Sequence, residues 1–306
     1  MNARRGPSSV GGGSPPPVLR SLPWRWRYLR DGLGTLAGAM GIESSTRVAR
    51  LLAQGAFELH PLARRQIESN LFQAFGPSLS RSGCERIARQ VFENVALFWV
   101  ESLFCRRRLS PATWRRWVRV PDMGDWLEVA RQRGPALLVT GYLGNPAVAA
   151  CVVSELLPPV HVLVDPVSRM LVDRSRGVLE RFRGLTLIDV KDASRRVPSV
   201  MYADGRLLVL AGPGQLECGG VPGSFLGRQG RHPATIARLA HRCGAEIIVL
   251  RCRRLDEVAF RFELAMVDRI GPPAPGTTAS AITQQYLTSL DRAVREYPDQ
   301  YLWTRW

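Results

Sequence analysis

The stretch Ala136-Leu137-Leu138-Val139-Thr140, followed by Gly141-Tyr142-Leu143-Gly144-Asn145, decides the fold of this chain. The first half is an apolar run of strand length, and the turn after it leads into a helix predicted from Val148 to Leu156. A turn between a strand and a helix is a common place for chemistry in α/β proteins. This turn has no His, Cys, Ser, Asp or Glu from Gly141 to Ala147, and Tyr142 is its only ionisable side chain.

Strands and helices alternate around this stretch. Strands are predicted at Ala136–Thr140, Val160–Val164, Leu185–Val190, Arg206–Ala211 and Glu246–Arg251. Helices are predicted between most of them, at Val148–Leu156, Arg169–Phe182, Ser194–Tyr202 and Pro233–Cys243. The residues from Ala259 to Met266 alternate in polarity and predict one more, antiparallel strand. The pattern is typical of an α/β fold with a mixed, mostly parallel sheet flanked by helices, preceded by a helical N-terminal part.

The chain divides into three predicted segments. Residues 1–22 contain Gly-Gly-Gly-Ser-Pro-Pro-Pro and are predicted to be a disordered tail. Residues 23–57 are amphipathic and begin with arginines among aromatic rings, so they are either a membrane-interfacial segment or an ordinary helix packed on the core. Residues 58–306 are predicted to form the α/β domain, which is helical from 58 to 134 and closes with a helix at 278–296.

Arginine gives the chain a strong positive charge. Its 42 Lys and Arg residues exceed its 26 Asp and Glu residues by 16, and Lys191 is the only lysine. This charge favours an anionic partner, such as a membrane surface, a nucleic acid or a phosphorylated ligand. The run from Arg106 to Trp117 combines arginine with tryptophan. It is typical either of a solvated basic face or of a surface that binds a membrane or another anion.

The cysteines and the apolar runs exclude several classes of protein. The six cysteines include no C-x-x-C pair, so neither a metal site nor a dithiol redox site is expected, and we interpret them as reduced, mostly buried thiols. No apolar run reaches the roughly 18 residues that a membrane-spanning helix needs. No secretory signal is evident. These features predict a protein of the cytosolic compartment.

The histidines offer no obvious catalytic pair. His60 and His232 precede prolines, and His241 has no acidic neighbour in sequence. His161 and Asp165 are four residues apart on a predicted strand. That spacing separates them by roughly 13 Å, which is too far for a hydrogen bond. Each histidine is therefore predicted to be structural.

Five segments, in order, resemble the lysophospholipid acyltransferase superfamily, and within it the bacterial lipid A lauroyl/myristoyl acyltransferases. The resemblance covers the chain from about residue 60 to its end. The matching segments are Arg64–Phe75, Ile87–Asn94, Leu137–Asn145, matching residues within Gly220–Ala245, and Tyr297–Trp303. It implies an α/β acyltransferase fold, with the active-site turn at the end of the strand Ala136–Thr140.

The resemblance also implies the site residues and shows where this chain departs from the family. The family turn carries a His that takes the proton of the acceptor hydroxyl, then four residues, then an acid that orients it. In this chain Tyr142 occupies the His position and Ala147 the acid position. A later Asp-Gln pair of the family aligns with Gly212-Pro213. The substrate-binding positions implied by the resemblance are Gly141, Gly144, Asn145, Arg169, Phe225 and Gly227.

These departures predict a catalytically impaired, acyltransferase-like protein, because losing general-base catalysis costs typically 10²–10⁴-fold in rate. The resemblance implies a place on the cytoplasmic face of the inner membrane, attached peripherally to the anionic lipid surface. It also implies a lipid acceptor and a thioester of acyl-carrier protein or coenzyme A as acyl donor. No bound cofactor and no nucleic acid are expected.

Two alternatives remain open. One is an active acyltransferase with a rearranged site, in which Tyr142 donates a hydrogen bond to the oxyanion and His161 or His232 supplies the base. The other is a basic interaction protein that uses the same fold for a different anionic ligand.

Overall fold

A computed structural model of the chain describes residues 40–164, 175–203, 205–211, 219–255 and 259–303. Several predictions fall outside the described residues. They concern the tail at 1–22, the part of the amphipathic segment at 23–39, Arg169 and the beginning of its helix, and Gly212-Pro213.

The elements alternate as the sequence predicts. The helices are α1 Ile42–Leu59, α2 Pro61–Phe75, α3 Arg81–Arg108, α4 Met123–Arg131, α5 Pro146–Leu156, α6 Ala193–Tyr202, α7 Thr235–Cys243 and α8 Ala279–Glu296, and residues 175–179 are also helical. The strands are β1 Val118–Arg119, β2 Ala136–Thr140, β3 Val160–Val164, β4 Leu185–Asp189, β5 Arg206–Leu210, β6 Val221–Phe225, β7 Arg228–His232, β8 Glu246–Arg254 and β9 Phe262–Ile270. The five predicted central strands begin at the predicted residues.

The main sheet is mixed and mostly parallel, which confirms the predicted fold class. Its seven strands lie in the order β1-β9-β8-β2-β5-β3-β4. Strands β8, β2, β5, β3 and β4 are parallel, whereas β9 runs antiparallel to β8, and β1 runs parallel to β9. The predicted antiparallel strand is therefore present, although it begins at Phe262 and extends to Ile270.

Strand β2 lies near the middle of the sheet and is buried along its whole length. A continuous apolar run is typical of a parallel strand that is covered on both faces. Leu137 and Val139 contribute to one apolar core, and Leu138 contributes to the other. The sheet therefore separates two cores, and β2 belongs to both.

Two elements differ from the sequence predictions for their regions. The region 58–134 was predicted to be helical, but it contains the short strand β1, because Val118 and Arg119 pair with β9 and form the edge of the sheet. A separate antiparallel hairpin, β6–β7, was not predicted. Glycines and a proline interrupt its apolar pattern, so no strand periodicity is visible in the sequence. Its turn residues Leu226 and Gly227 both have positive φ, which tight hairpin turns of this type require.

The N-terminal helices form a layer against one end of the sheet. Helix α1 packs on α3 through a buried face that includes Ile42, Ala49 and Phe57. The ring of Phe57 meets Phe92 edge-on and lies under the guanidinium groups of Arg64 and Arg89. No helix among the described residues is both long enough and apolar enough to span a bilayer.

Candidate active site

The turn after β2 lies at a switch point of the parallel sheet. Helix α5, which follows β2, packs on one face of the sheet, because Val148 and Val152 share a core with Leu138. Helix α7, which leads from the hairpin to β8, packs on the other face. The connection from β2 to β3 and the connection from its neighbour β5 to β8 therefore cross the sheet in opposite directions. The crevice that such a divergence opens at the carboxyl ends of strands is the usual ligand site of open α/β sheets.

Gly144 fixes the path of the backbone in this turn. It has φ of 60°, and a Cβ atom placed there would lie 2.0 Å from the carbonyl oxygen of Cys252 on β8. No other residue fits without moving β8. Gly141 is less restricted, because its Cβ would meet only ordinary contacts with Leu290, Ala211 and Tyr301.

Asn145 joins the turn to the helix that follows it. Its side-chain oxygen accepts a hydrogen bond of 3.3 Å from the amide of Val148, and so caps the N-terminus of α5. Its side-chain nitrogen donates to Glu101 on α3 at 3.0 Å. Asn145 is buried, so its role in this structure is to hold the turn in place rather than to bind solvent or ligand.

Glu101 and Arg254 form a buried ion pair behind the turn. The Nε and Nη2 atoms of Arg254 both donate hydrogen bonds to the carboxylate of Glu101. The same carboxylate also accepts the hydrogen bond from Asn145. Arg254 donates further to the side-chain oxygen of Asn94. The side chain of Gln300 accepts from the amide of Arg254 at 2.6 Å and donates to its carbonyl at 2.9 Å. This network, which we call the turn-support network, connects α3, β8 and the C-terminal segment to the turn.

The C-terminal segment pairs directly with the turn. The amide of Leu302 donates to the carbonyl of Tyr142, and the amide of Gly144 donates to the carbonyl of Gln300, each at 3.0 Å. Leu143 and Tyr301 form an antiparallel bridge between these two bonds. Two of the resembling segments, far apart in sequence, therefore meet at the candidate site.

The other resembling segments also converge on the C-terminal segment. Asn70 donates to the carbonyl of Trp303 at 2.7 Å, and Asn94 donates to the carbonyl of Asp299 at 2.8 Å. The ring of Phe225, on the hairpin, packs edge-on against the ring of Tyr301, with 6.3 Å between the ring centroids. The segments that carry the resemblance are thus the ones that build the framework of the turn.

Phe225 and Gly227 hold the hairpin in this framework. Gly227 has φ of 76°, and a Cβ atom there would lie 2.6 Å from the carbonyl of Gln73 on α2. Phe225 is buried against Tyr301. In the described structure both residues make packing contacts. Arg169, the remaining predicted binding residue, lies outside the described residues.

Tyr142 and Ala147 both lie inside the protein. Tyr142 is 7% exposed and belongs to the core that also contains Leu143, Leu290 and Tyr301. Ala147 is 8% exposed in the first turn of α5. A methyl group at that position offers no atom that could orient a base. The acid in the turn-support network, Glu101, is already engaged by Arg254 and Asn145.

The cysteines near the turn are not suited to nucleophilic chemistry. Burial raises the pKa of Cys252 to about 12 and raises the pKa of Cys105 and Cys151 well above the usual value for a thiol. A cysteine needs its thiolate form to act as a nucleophile. The described cysteines are all free thiols, and no group of side chains in the described ranges could hold a metal ion.

The two histidines considered as alternative bases occupy different places. His161 pairs in register with Leu207, which in turn lies opposite Leu137 on β2. This places it about 10 Å across the sheet from β2 and about 10 Å along the strands from Thr140, near their amino ends. His161 is therefore too far from the turn to act as its base. His232 ends β7, and two residues separate it from α7, which begins near the carboxyl edge of the sheet.

Sequence reasoning did not identify Glu101, Arg254 or Asn94 as members of the site. Glu101 lies in an apolar part of α3, between Leu97 and Phe104, and an acid in such a position signals a buried partner. Arg254 ends a long apolar strand, which is a similar signal. Neither feature identifies the partner residue, because Glu101 and Arg254 are 153 positions apart in sequence.

A comparison with protein families identifies the family of the chain. Residues 19–306 match the model of the bacterial lipid A biosynthesis acyltransferase family. No curated protein shows significant similarity to the chain. The match covers nearly the whole chain, including the turn, the hairpin and the C-terminal segment. The chain belongs to the bacterial lipid A biosynthesis acyltransferase family.

Proposed function

We propose that the protein is a catalytically impaired member of this family that still binds an acyl chain or a lipid at the turn after β2. One observation carries the proposal. The turn and its supports are intact, while the two positions that would hold the base and its orienting acid carry Tyr142 and Ala147. A family framework with a changed reactive pair favours binding without transfer.

The chemistry of the two residues explains the impairment. A phenol is a poor proton acceptor at neutral pH, because its ordinary pKa is near 10. Alanine offers no oxygen to orient or stabilise a protonated base. Neither Glu101 nor the buried thiols can take over these roles, for the reasons of geometry and burial given above. The expected loss of rate is about 10²–10⁴-fold.

The proposed ligands are those of an acyl transfer at a membrane. The donor would be a thioester of acyl-carrier protein or coenzyme A, and the acceptor would be a lipid with a hydroxyl group. The net charge of +16 supports a peripheral place on the anionic cytoplasmic face of the inner membrane.

Restoring the reactive pair tests this proposal. We expect wild-type protein to bind a long-chain acyl-coenzyme A in calorimetry but to transfer no acyl chain to a lysolipid acceptor. The double variant Tyr142→His, Ala147→Glu should gain transfer, since only the reactive pair would have been missing. The single variant Tyr142→His is the control and should gain less, because its imidazole has no orienting acid.

Two results would contradict the proposal. Wild-type protein that transfers acyl chains, and loses this activity on Tyr142→Phe, would be an enzyme with a rearranged site. Wild-type protein that binds no acyl thioester and no lipid would have lost the pocket as well as the pair.

A second candidate function is acyl transfer with His232 as the base. His232 is only 4% exposed, and neither ring nitrogen makes a full hydrogen bond within the described residues. Burial lowers its pKa, partly offset by the nearby backbone of Gly223, which favours the neutral imidazole, the form that can accept a proton. Transfer by wild-type protein that His232→Gln abolishes, while acyl-coenzyme A binding persists, would favour this function.

A further inference from the structure

Exposed apolar side chains concentrate on the first two helices of the described chain and just before them. Of the twelve large apolar side chains that are exposed in the described ranges, seven lie between residues 40 and 72. They are Met40, Val48, Leu51, Leu52, Leu59, Leu62 and Phe72. Single exposed apolar residues are normal, whereas a concentration of them marks an interaction surface.

Helix α1 carries most of this group on one face. Val48, Leu51, Leu52 and Leu59 fall within an arc of about 100° when the helix is viewed along its axis. We call these four residues the apolar stripe. Leu51 is 66% exposed and Leu59 is 78% exposed. The face that packs on α3, with Ala49 and Phe57, is a different face of the same helix. Helix α1 therefore has one apolar face that is covered and one that is open.

A cluster of arginines lies at the C-terminal end of α3. Residues 102–121 contain six arginines and no acid, and residues 175–183 add three arginines and a single acid, Glu180. These two segments touch, because Arg181 donates to the carbonyl of Arg106, and Gly177 lies against the Arg106 side chain. We call the eight exposed members the arginine cluster: Arg106, Arg107, Arg115, Arg116, Arg119, Arg176, Arg181 and Arg183.

The apolar stripe and the arginine cluster are neighbours, because α1 runs antiparallel along α3. Phe57, near the end of α1, meets Phe92 in the first half of α3. Ile42, at the start of α1, shares a buried core with Phe104 and Cys105 at the end of α3. The beginning of α1 thus lies beside the end of α3 where the arginine cluster starts.

We propose that the apolar stripe and the arginine cluster together form the surface by which this protein docks on an anionic bilayer. This rests on the membrane location that is part of the proposed function. Leucines next to arginines match the two layers that a peripheral protein meets, which are the upper acyl chains and the phosphates. Each arginine near an anionic surface contributes about a fivefold gain in binding, and the gain falls with added salt.

A second copy of the chain fits this surface less well. A symmetric dimer places the same patch on both sides of the interface, so it would bring two arginine clusters together. Four apolar side chains are also few beside the roughly 20–30 residues that each partner of a stable interface contributes.

Vesicle sedimentation tests the proposal with the full chain. The vesicles contain equal parts of phosphatidylcholine and phosphatidylglycerol, with pure phosphatidylcholine as the neutral reference. Leu51→Ser with Leu52→Ser should lower binding to anionic vesicles about tenfold or more. Arg115→Gln with Arg116→Gln should lower it by about tenfold or more, and added salt should then have less effect. The matched control is Met123→Ser with Leu127→Ser, an exposed apolar pair on α4 that should leave binding unchanged.

All of these side chains are exposed, so the variants should keep the circular dichroism and the unfolding temperature of the wild type. The proposal is overturned if the Leu51 and Leu52 variant sediments like the wild type, or if the α4 control loses binding equally. It is also overturned if light scattering without lipid shows a dimer that this variant converts to a monomer, since the stripe would then bind a second copy.

A separate measurement distinguishes this proposal from the proposed function. Binding of acyl-coenzyme A is measured without vesicles. Protein that binds vesicles as expected but binds no acyl thioester supports the docking surface and contradicts only the ligand proposed for the turn.

Discussion

Gly144 and Tyr142 are two residues apart in the same turn, but only at Gly144 does the backbone limit which residue can stand there. Gly144 is restricted by space, because its φ of 60° and the carbonyl of Cys252 leave no room for a side chain. The backbone of Tyr142 sets no such limit, and its carbonyl accepts the hydrogen bond from the amide of Leu302. Exchange at Gly144 therefore disturbs the backbone, whereas exchange at Tyr142 changes a buried side chain at the proposed reactive position.

Gly144→Ala should lower the free energy of unfolding by about 2–5 kcal/mol, because the new methyl group needs a left-handed backbone and overlaps β8. Urea unfolding followed by tryptophan fluorescence measures this loss. The control is Gly124→Ala on α4, where a Cβ atom meets nothing within 4 Å. The control should be neutral or slightly stabilising, because alanine favours a helix more than glycine does. Equal stability of the two variants would show that β8 does not press on the turn.

At the scale of elements, the turn-support network decides how α3, β8 and the C-terminal segment meet. Asn145 is the member of the network that lies in the turn, and Gln300 is the member that lies in the C-terminal segment. The amphipathic pattern of α3 predicts that it is a helix and which side is buried. It does not predict that Glu101 pairs with Arg254, because an ion pair between residues far apart in sequence produces no periodic pattern.

Glu101→Ala should cost about 3–5 kcal/mol of stability, because it leaves Arg254 as a buried charge without its carboxylate and removes a partner of Asn145. The matched control is Glu128→Ala, which removes an exposed carboxylate from its pair with Arg269 and should cost at most about 1 kcal/mol. Chemical denaturation measures both. A loss for Glu101→Ala no larger than that of the control would mean that the buried pair does not hold the turn.

The hairpin β6–β7 shows a different limit of prediction at this scale. Its strands contain Pro222, Gly223 and Gly230, so they lack the alternation that identifies a strand. The side chain of Gln284 on α8 holds it in place, by accepting from the amide of Ser224 and donating to its carbonyl. Contacts with another element, rather than local propensity, define this hairpin.

At the scale of the whole molecule, burial of two histidines makes stability depend on pH. Burial lowers the pKa of His232 below the ordinary value of 6.5, and partial burial together with the nearby charge of Arg196 lowers the pKa of the half-buried His161. As pH falls below this value, the unfolded chain binds protons at both positions while the folded protein does not. Folding therefore loses free energy, and it does so until the pH reaches the lowered pKa of the folded state.

The double variant His161→Gln, His232→Gln should accordingly show a flatter dependence of unfolding free energy on pH between about pH 7 and pH 5. Denaturation at a series of pH values measures the slope. The control is His241→Gln, which removes an exposed histidine from α7 and should leave the slope unchanged. A double variant that is as pH-sensitive as the wild type would contradict the burial of these two rings.

By itself, the sequence determined the fold class, the starts of the central strands and the family. These features follow from apolar periodicity and turn residues, which are local properties of the chain. The proposed assignment of Tyr142 and Ala147 to the reactive positions also comes from the sequence alone, because it follows from the order of residues in the turn. Tertiary structure alone decided the support of the turn, the hairpin and the open apolar stripe of α1. Each depends on which distant surfaces meet or remain uncovered, and no local pattern encodes that.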